Sequence, residues 1–198
     1  MKLYITAPSP FARKCRIVAR EKGLIDRIEE IAVDPYASPA ELVAVNPIAQ
    51  APALVTDEGL AIADSPVICE WLDVNGSGPR LLPADGPDRW RVRRVETLGA
   101  AALEMGVKLV LEKRRPETER STSWLDRWTA NMARALDVLE ADCPTGEPLD
   151  MGAITAACAM TWIGFRHPDF DCETGRPRLV TLRDALEQRS SFRETYPA

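Results

Sequence analysis

The segment Ser9-Pro10-Phe11-Ala12-Arg13-Lys14 joins a short apolar run at residues 2–6 to a stretch with helical period. Ser9 therefore falls at a helix N-terminus, where unsatisfied amides and the helix dipole favour an anion by roughly 0.3–1 kcal/mol. A dithiol redox turn would carry cysteines three positions apart, and here those positions hold Ser9 and Ala12. Thiol–disulfide exchange through this turn is excluded. A hydroxyl remains, able to donate a hydrogen bond to a bound thiolate. Each unit by which it lowers a thiol pKa corresponds to about 1.4 kcal/mol. The same serine reads equally as an N-cap followed by proline in the first turn. Capping and thiolate stabilisation are compatible.

Three further features have a chemical reading. Gln50-Ala51-Pro52-Ala53 precedes a short apolar run, the place where a cis X-Pro bond can sit. A cis bond there would turn the Ala51 backbone outward, to pair with a peptide as an added strand does. Asp64-Ser65-Pro66 opens a helix. Amides and a hydroxyl suit a carboxylate, and Asp64 suits an ammonium, so together they match an amino-acid head group. A plain N-cap accounts for the same tripeptide. The loop Asn46-Pro47-Ile48-Ala49 leads into Gln50 and could direct that side chain towards a ligand, though by itself it is uninformative.

The elements that must position these residues differ between the two halves of the chain. Strands are predicted at residues 2–6 and 28–33, with a hairpin at 53–56 and 60–63 around Asp57-Glu58-Gly59. Helices are predicted at 11–22, from Ser38 (N-cap) and Pro39 to Asn46, and from Ser65 (N-cap) and Pro66 to Asn75. Pro47 forbids the second helix from running further. The order β-α-β-α-β-β-α is the thioredoxin-like plan, giving an α/β N-terminal domain over residues 1–75. Residues 76–87, rich in Gly and Pro, read as a linker.

Residues 88–198 show no strand pattern and predict an all-α helical bundle domain. One stripe is Leu98, Ala102, Met105 and Leu109; a second is Leu125, Trp128, Met132, Leu136 and Leu139, with Pro116 between the helices. Residues 153–165 carry no Asp, Glu, Lys or Arg, which predicts a helix buried all round and capped by Asp150. Leu179, Leu182 and Leu186 predict one last long helix after Pro177. Cys15 reads as core, the tryptophans as packing, Lys113-Arg114-Arg115 as a solvated helix end, and His167 as part of a polar loop with Pro168.

Composition bounds the partners. A net charge of −5 over 198 residues argues against nucleic acid or an anionic membrane surface. Five cysteines without C-x-x-C spacing and a single histidine, His167, give no metal site and no disulfide framework. The N-terminus lacks the apolar run of a signal peptide, and residues 151–165 are too short to span a bilayer. A cytoplasmic protein is expected.

Taken in order, S-P-F-A-R-K, N-P-I-A-Q-A-P-A-L and D-S-P-V-I-C-E-W-L resemble the cytosolic glutathione transferase superfamily, and the likeness extends to the helical second half and to Arg189-Ser190-Ser191-Phe192. Among bacterial members the chain is similar to small serine-type proteins. The resemblance implies glutathione as co-substrate, with Ser9 hydrogen-bonding its sulfur and Phe11 beside it. Ala51, before a cis Pro52, would pair with the cysteinyl unit; Asp64 and Ser65 would hold the γ-glutamyl head, and Gln50 would lie near the glycyl end. An apolar electrophile would lie near Met105 and Leu109, the protein would be a homodimer, and its role would be detoxification.

Two positions depart from the family pattern. Ala49-Gln50 stands where Gly-Lys is frequent, replacing a charged contact by a neutral one weaker by ~1 kcal/mol. Asp150-Met151-Gly152-Ala153 keeps the cap but loses the reciprocal acid of a capping box. Two other readings stay open: a non-enzymatic glutathione-binding or regulatory module, and a glutathione-dependent redox enzyme using a cysteine elsewhere.

Overall fold

Short apolar runs set the sheet, with Leu3, Tyr4 and Ile5 in one and Ala53 and Leu54 in another all buried. In the computed structural model, which describes residues 1–197, strands β1 (Lys2–Ile5), β2 (Glu29–Ala32), β3 (Ala53–Val55) and β4 (Ala61–Ala63) form one sheet in the order β2-β1-β3-β4. β1 and β2 are parallel, with Lys2 opposite Glu29, whereas β3 runs antiparallel to both β1 and β4. A parallel pair needs a crossover, and α1 (Pro10–Glu21) supplies it. α2 (Ala40–Val45) places Leu42 with Tyr4 and Ala53, with Ile31, Val33, Val45 and Ala49 packed around them. α3 (Ser65–Asn75) packs against α1, with Ile17, Val18, Ile68 and Leu72 fully buried.

The chain divides into two compact units, one of Met1–Leu82 with the segment from Arg189 onward, the other of Pro83–Gln188. The thioredoxin-like plan expected from the sequence is present in the first. Its C-terminal segment was not separable from the second domain by helical period. Yet Arg13 on α1 donates to the Phe192 carbonyl at 3.2 Å, and its guanidinium lies over the Phe192 and Tyr196 rings. Arg189 makes a bidentate pair with Glu21 at 3.0 and 2.7 Å. Although burial opposes ionisation of Glu21, its bonds from Arg189 and Ser191 hold the carboxyl below its usual range.

The second unit is helical: α4 (Gly86–Arg114), α5 (Thr122–Ala141), α6 (Met151–Arg166) and α7 (Pro177–Leu186). α6 is buried from Met151 to Ile163, as its lack of charge predicts. Asp150 caps it, Oδ1 accepting from the Ala153 amide at 2.7 Å. α4 and α6 approach closely because small residues lie between them. A Cβ on Gly99 would come within 3.0 Å of Thr155, one on Gly106 within 2.8 Å of Trp162, and one on Gly152 within 3.0 Å of Val95.

Several local expectations are corrected. The buried face of α4 is Val95, Gly99, Ala102, Leu103, Gly106 and Leu109, so Leu98 and Met105 stand on its shoulder. The glycines, invisible to an apolar count, define the true face. Ser38 is not the N-cap of α2: it ends a 3-10 turn (Pro35–Ala37) in the left-handed region at φ 47°, and Pro39 takes the cap position. Asp64, not Ser65, is the N-cap residue of α3. The long last helix is ten residues, and a short α8 (Ser190–Arg193) follows separately. His167 does stand in the loop after α6, beside Pro168, but it is buried, with Nε2 3.0 Å from the Gly106 carbonyl. Trp90 and Trp124 are exposed, not packed inside. No helix among the described residues is long and apolar enough to cross a membrane.

Candidate functional site

Ser9 leaves β1 in extended geometry, φ −79° and ψ 124°, and Pro10 begins α1. Its backbone is fixed at both ends: the amide donates to Thr6 and the carbonyl accepts from Arg13, each at 3.0 Å. Its Oγ accepts from the Ala12 amide at 3.2 Å. That bond uses an oxygen lone pair and leaves the hydroxyl proton, for which the described residues offer no acceptor. The N-cap reading and the donor reading therefore hold together. Phe11, half-buried, follows on the first turn, and Ala12 is buried.

The loop before β3 is drawn together by Asn46. Buried itself, Asn46 donates from Nδ2 to the Gln50 carbonyl at 2.8 Å and accepts from the Ala49 amide at 2.8 Å. Ala49 takes a left-handed φ of 51° to close this turn, and the Ala51–Pro52 bond is cis. The Gln50 side chain is exposed, Ala51 is half-buried, and Pro52 is buried against the start of β3. Asn46 was legible only as a loop residue, and its fastening role has no local signal beyond Asn-Pro.

Asp64 is held at φ 72° and ψ 126°, a conformation costly for a residue with a side chain. Its carboxylate is exposed and makes no capping bond, so it projects beside the first turn of α3. Ser65 is buried at the first helical position. Beneath it the Cys15 thiol lies 3.9 Å from the Ser65 carbonyl and 3.7 Å from the Cys69 sulfur. Burial, and then the bond with Cys69, push the Cys15 thiol well up, the opposite of what a reactive thiolate needs. All five cysteines are free and buried.

Within the first unit, then, Ser9, Gln50, Ala51, Pro52, Asp64 and Ser65 occupy three turns: the end of β1, the entry to β3 and the exit of β4. The sheet order makes β1, β3 and β4 successive neighbours, and the entry to antiparallel β3 lies beside the exits of the other two. Two helix N-termini and one strand-entry backbone thus share one end of the sheet, suited to an anionic sulfur, a peptide backbone and a carboxylate. In the second unit Met105 is half-buried and Leu109 is only 3% exposed. No group of His, Cys, Asp and Glu among the described residues has the spacing of a metal site.

Residues 8–75 match the family model for the glutathione S-transferase N-terminal domain. Over its whole length the chain is 35% identical to the GST-like protein YibF of Escherichia coli K12, covering 98% of that protein. A glutathione transferase family member from Pseudomonas fluorescens Pf-5, solved with bound glutathione, superposes with a TM-score of 0.95 at 33% identity, covering 100% of this chain and 98% of that one. A glutathione S-transferase from Methylobacterium radiotolerans, solved with glutathione sulfonate, gives 0.91 at 30% identity over 99% and 94% of the two chains.

Proposed function

The chain belongs to the glutathione S-transferase superfamily, and from that premise we propose that it binds glutathione on its N-terminal domain and transfers the thiolate to a small, apolar electrophile. The observation that carries this reading is the Ser9 hydroxyl, held at the N-terminus of α1 by one accepted bond with its proton still to give. That proton would bond the glutathione sulfur and favour the thiolate, assisted by the α1 dipole. The Ala51 backbone would pair with the cysteinyl unit, with Phe11 alongside. The γ-glutamyl carboxylate would take the first turn of α3 at Ser65, and its ammonium the exposed Asp64 carboxylate. Gln50 would face the glycyl end. The thiolate then attacks an electrophilic carbon. The sulfur–carbon bond forms, a leaving group departs with the bonding pair, and Ser9 forms no covalent bond.

Met105, on the shoulder of α4, is the apolar contact offered to the electrophile, with Leu109 behind it in the same helix. A second copy of the chain is the partner proposed for the apolar groove formed by Leu60, Ile62, Val67, Trp71 and Val74. Leu60, Val67 and Val74 are each more than half exposed there, and a monomer in analytical ultracentrifugation would count against this. Five free, buried cysteines suit a reducing, cytoplasmic setting.

Replacing Ser9 with Ala tests the reaction. Loss of a hydrogen bond to a charged sulfur should lower kcat/KM for a chloronitrobenzene by about 10- to 100-fold, with glutathione affinity changed far less. Unchanged turnover would reduce Ser9 to a helix cap. Tight glutathione binding without any turnover would instead favour a binding or regulatory module.

A further inference from the structure

Between Arg27 and Arg80 the chain has no lysine or arginine, while nine aspartates and glutamates fall in the same stretch, residues 28–79. This stretch supplies most of the proposed peptide site: the loop before β3, the connection from β2 to α2, and the start of α3. Topology assigns the ends of a bound tripeptide. With its γ-glutamyl head at Ser65, beyond edge strand β4, and its middle at Ala51, before β3, the chain continues across the sheet towards β1 and β2. Its C-terminal end therefore comes to Gln50 and the β2–α2 connection, residues 33–39. Those residues offer an amide, the Tyr36 ring and the Ser38 hydroxyl, together with the exposed carboxylate of Asp34; Glu41 follows on α2.

The unit's other cations are committed elsewhere. Arg16 and Arg20 pair with Glu30, Lys22 and Arg80 with Asp73, Arg27 with Asp57, and Arg189 with Glu21. Arg13 is turned inward onto Phe192 and Tyr196, and Lys14 is buried. Lys2 opens β1, at the opposite end of that strand from Ser9, and Arg193 lies in the C-terminal segment on α8. A carboxylate is recognised strongly where a guanidinium or ammonium meets it, and beside Asp34 and Glu41 it meets like charge.

Resting on the glutathione reading above, we propose that this site does not select for the glycyl carboxylate, and that its substrate class extends to γ-glutamyl-cysteinyl peptides whose C-terminus is masked as an amide. Recognition is carried by the γ-glutamyl head and the cysteinyl backbone, and the far end of the peptide is left uncharged or free to bear a further group.

Calorimetric titration of the full-length protein with glutathione and with glutathione C-terminal amide tests this. The amide should bind within about 3-fold of glutathione, where loss of a charge-assisted contact would cost about 10-fold or more. Gln50→Lys, which supplies the missing cation, should raise the preference for glutathione over its amide by about 5-fold or more. An amide bound about 10-fold more weakly than glutathione overturns the proposal and leaves the glutathione reading intact. Failure of the wild-type protein to bind either peptide removes both.

Discussion

Lys22 and Asp73 form an ion pair out of contact with water: Nζ lies 3.0 Å from Oδ1, and both side chains are at most 1% exposed. The pair survives burial because its remaining groups are satisfied. Asp73 also accepts from the Leu81 and Leu82 amides at 2.9 and 3.0 Å and from Arg80 at 3.2 Å. Lys22 donates to the Pro79 carbonyl at 2.8 Å. Four otherwise irregular residues are thereby fastened to the ends of α1 and α3. Gly76 must be glycine for the same approach, since a Cβ would stand 2.7 Å from the Lys22 carbonyl oxygen.

Asp73→Ala should therefore destabilise the protein by about 3–5 kcal/mol, because it leaves a buried ammonium uncompensated. Denaturant unfolding measures the loss, and limited proteolysis should show new cleavage between Gly76 and Leu82. A cost below about 1 kcal/mol would mean that the ammonium finds water or another partner.

The two roles of Ser9 separate by substitution. A carboxylate at this position still accepts from the Ala12 amide, so Ser9→Asp should keep the cap, whose loss costs ~1 kcal/mol. It has no proton to give at neutral pH and repels a thiolate. Ser9→Asp should thus match wild type in thermal unfolding yet fall to or below Ser9→Ala in conjugation rate. Activity above that of Ser9→Ala would rule out hydrogen-bond donation as the serine's contribution.

How much of this was legible from residues alone follows physical range. Ser9, Asp150 and the end of α2 before Pro47 were readable because caps and prolines act within one turn. The α4 face was misjudged because Gly99 and Gly106 contribute by absence of a side chain, which no hydrophobic period records. The buried Arg13, Lys14 and Lys22 were illegible for the opposite reason. A charge is taken as solvated unless its partner is known, and Arg13 meets Phe192 and Tyr196 of the C-terminal segment while Lys22 meets Asp73 on α3 and the Pro79 carbonyl. At the site, the local tripeptides signalled helix starts, while their gathering at one end of the sheet came from strand order.

His167 gives the helical unit a pH dependence. Burial lowers its pKa, and this outweighs the opposing bond to the Gly106 carbonyl. The folded-state value lies below the unfolded value near 6.5, so in the window between them the unfolded state binds the proton and the native state does not. Stability from this group is complete above about pH 6.5 and is lost as pH falls towards the depressed folded value. Thermal unfolding followed downward from about pH 7.5, above the unfolded value of roughly 6.5, should show a decline that shrinks in His167→Gln. An identical decline in the variant would assign the effect to other groups.

Asp64 supplies the sharpest opposition between stability and binding. A residue with a side chain at φ 72° and ψ 126° carries strain on the order of 1–3 kcal/mol, and glycine carries almost none there. The greater freedom of glycine in the unfolded chain takes back about 0.4–1 kcal/mol. Asp64→Gly should stabilise the fold by about 1 kcal/mol, raising Tm by about 2–4 °C for a chain of this size. The same change removes the carboxylate proposed to hold the γ-glutamyl ammonium and should weaken glutathione by about 10-fold or more. Asp64→Asn keeps the strained backbone and a hydrogen-bonding tip but not the charge, so it should lose affinity without gaining stability. If Asp64→Gly instead binds glutathione as wild type does, the strain has no return at this site, and the head group must be held by α3 alone.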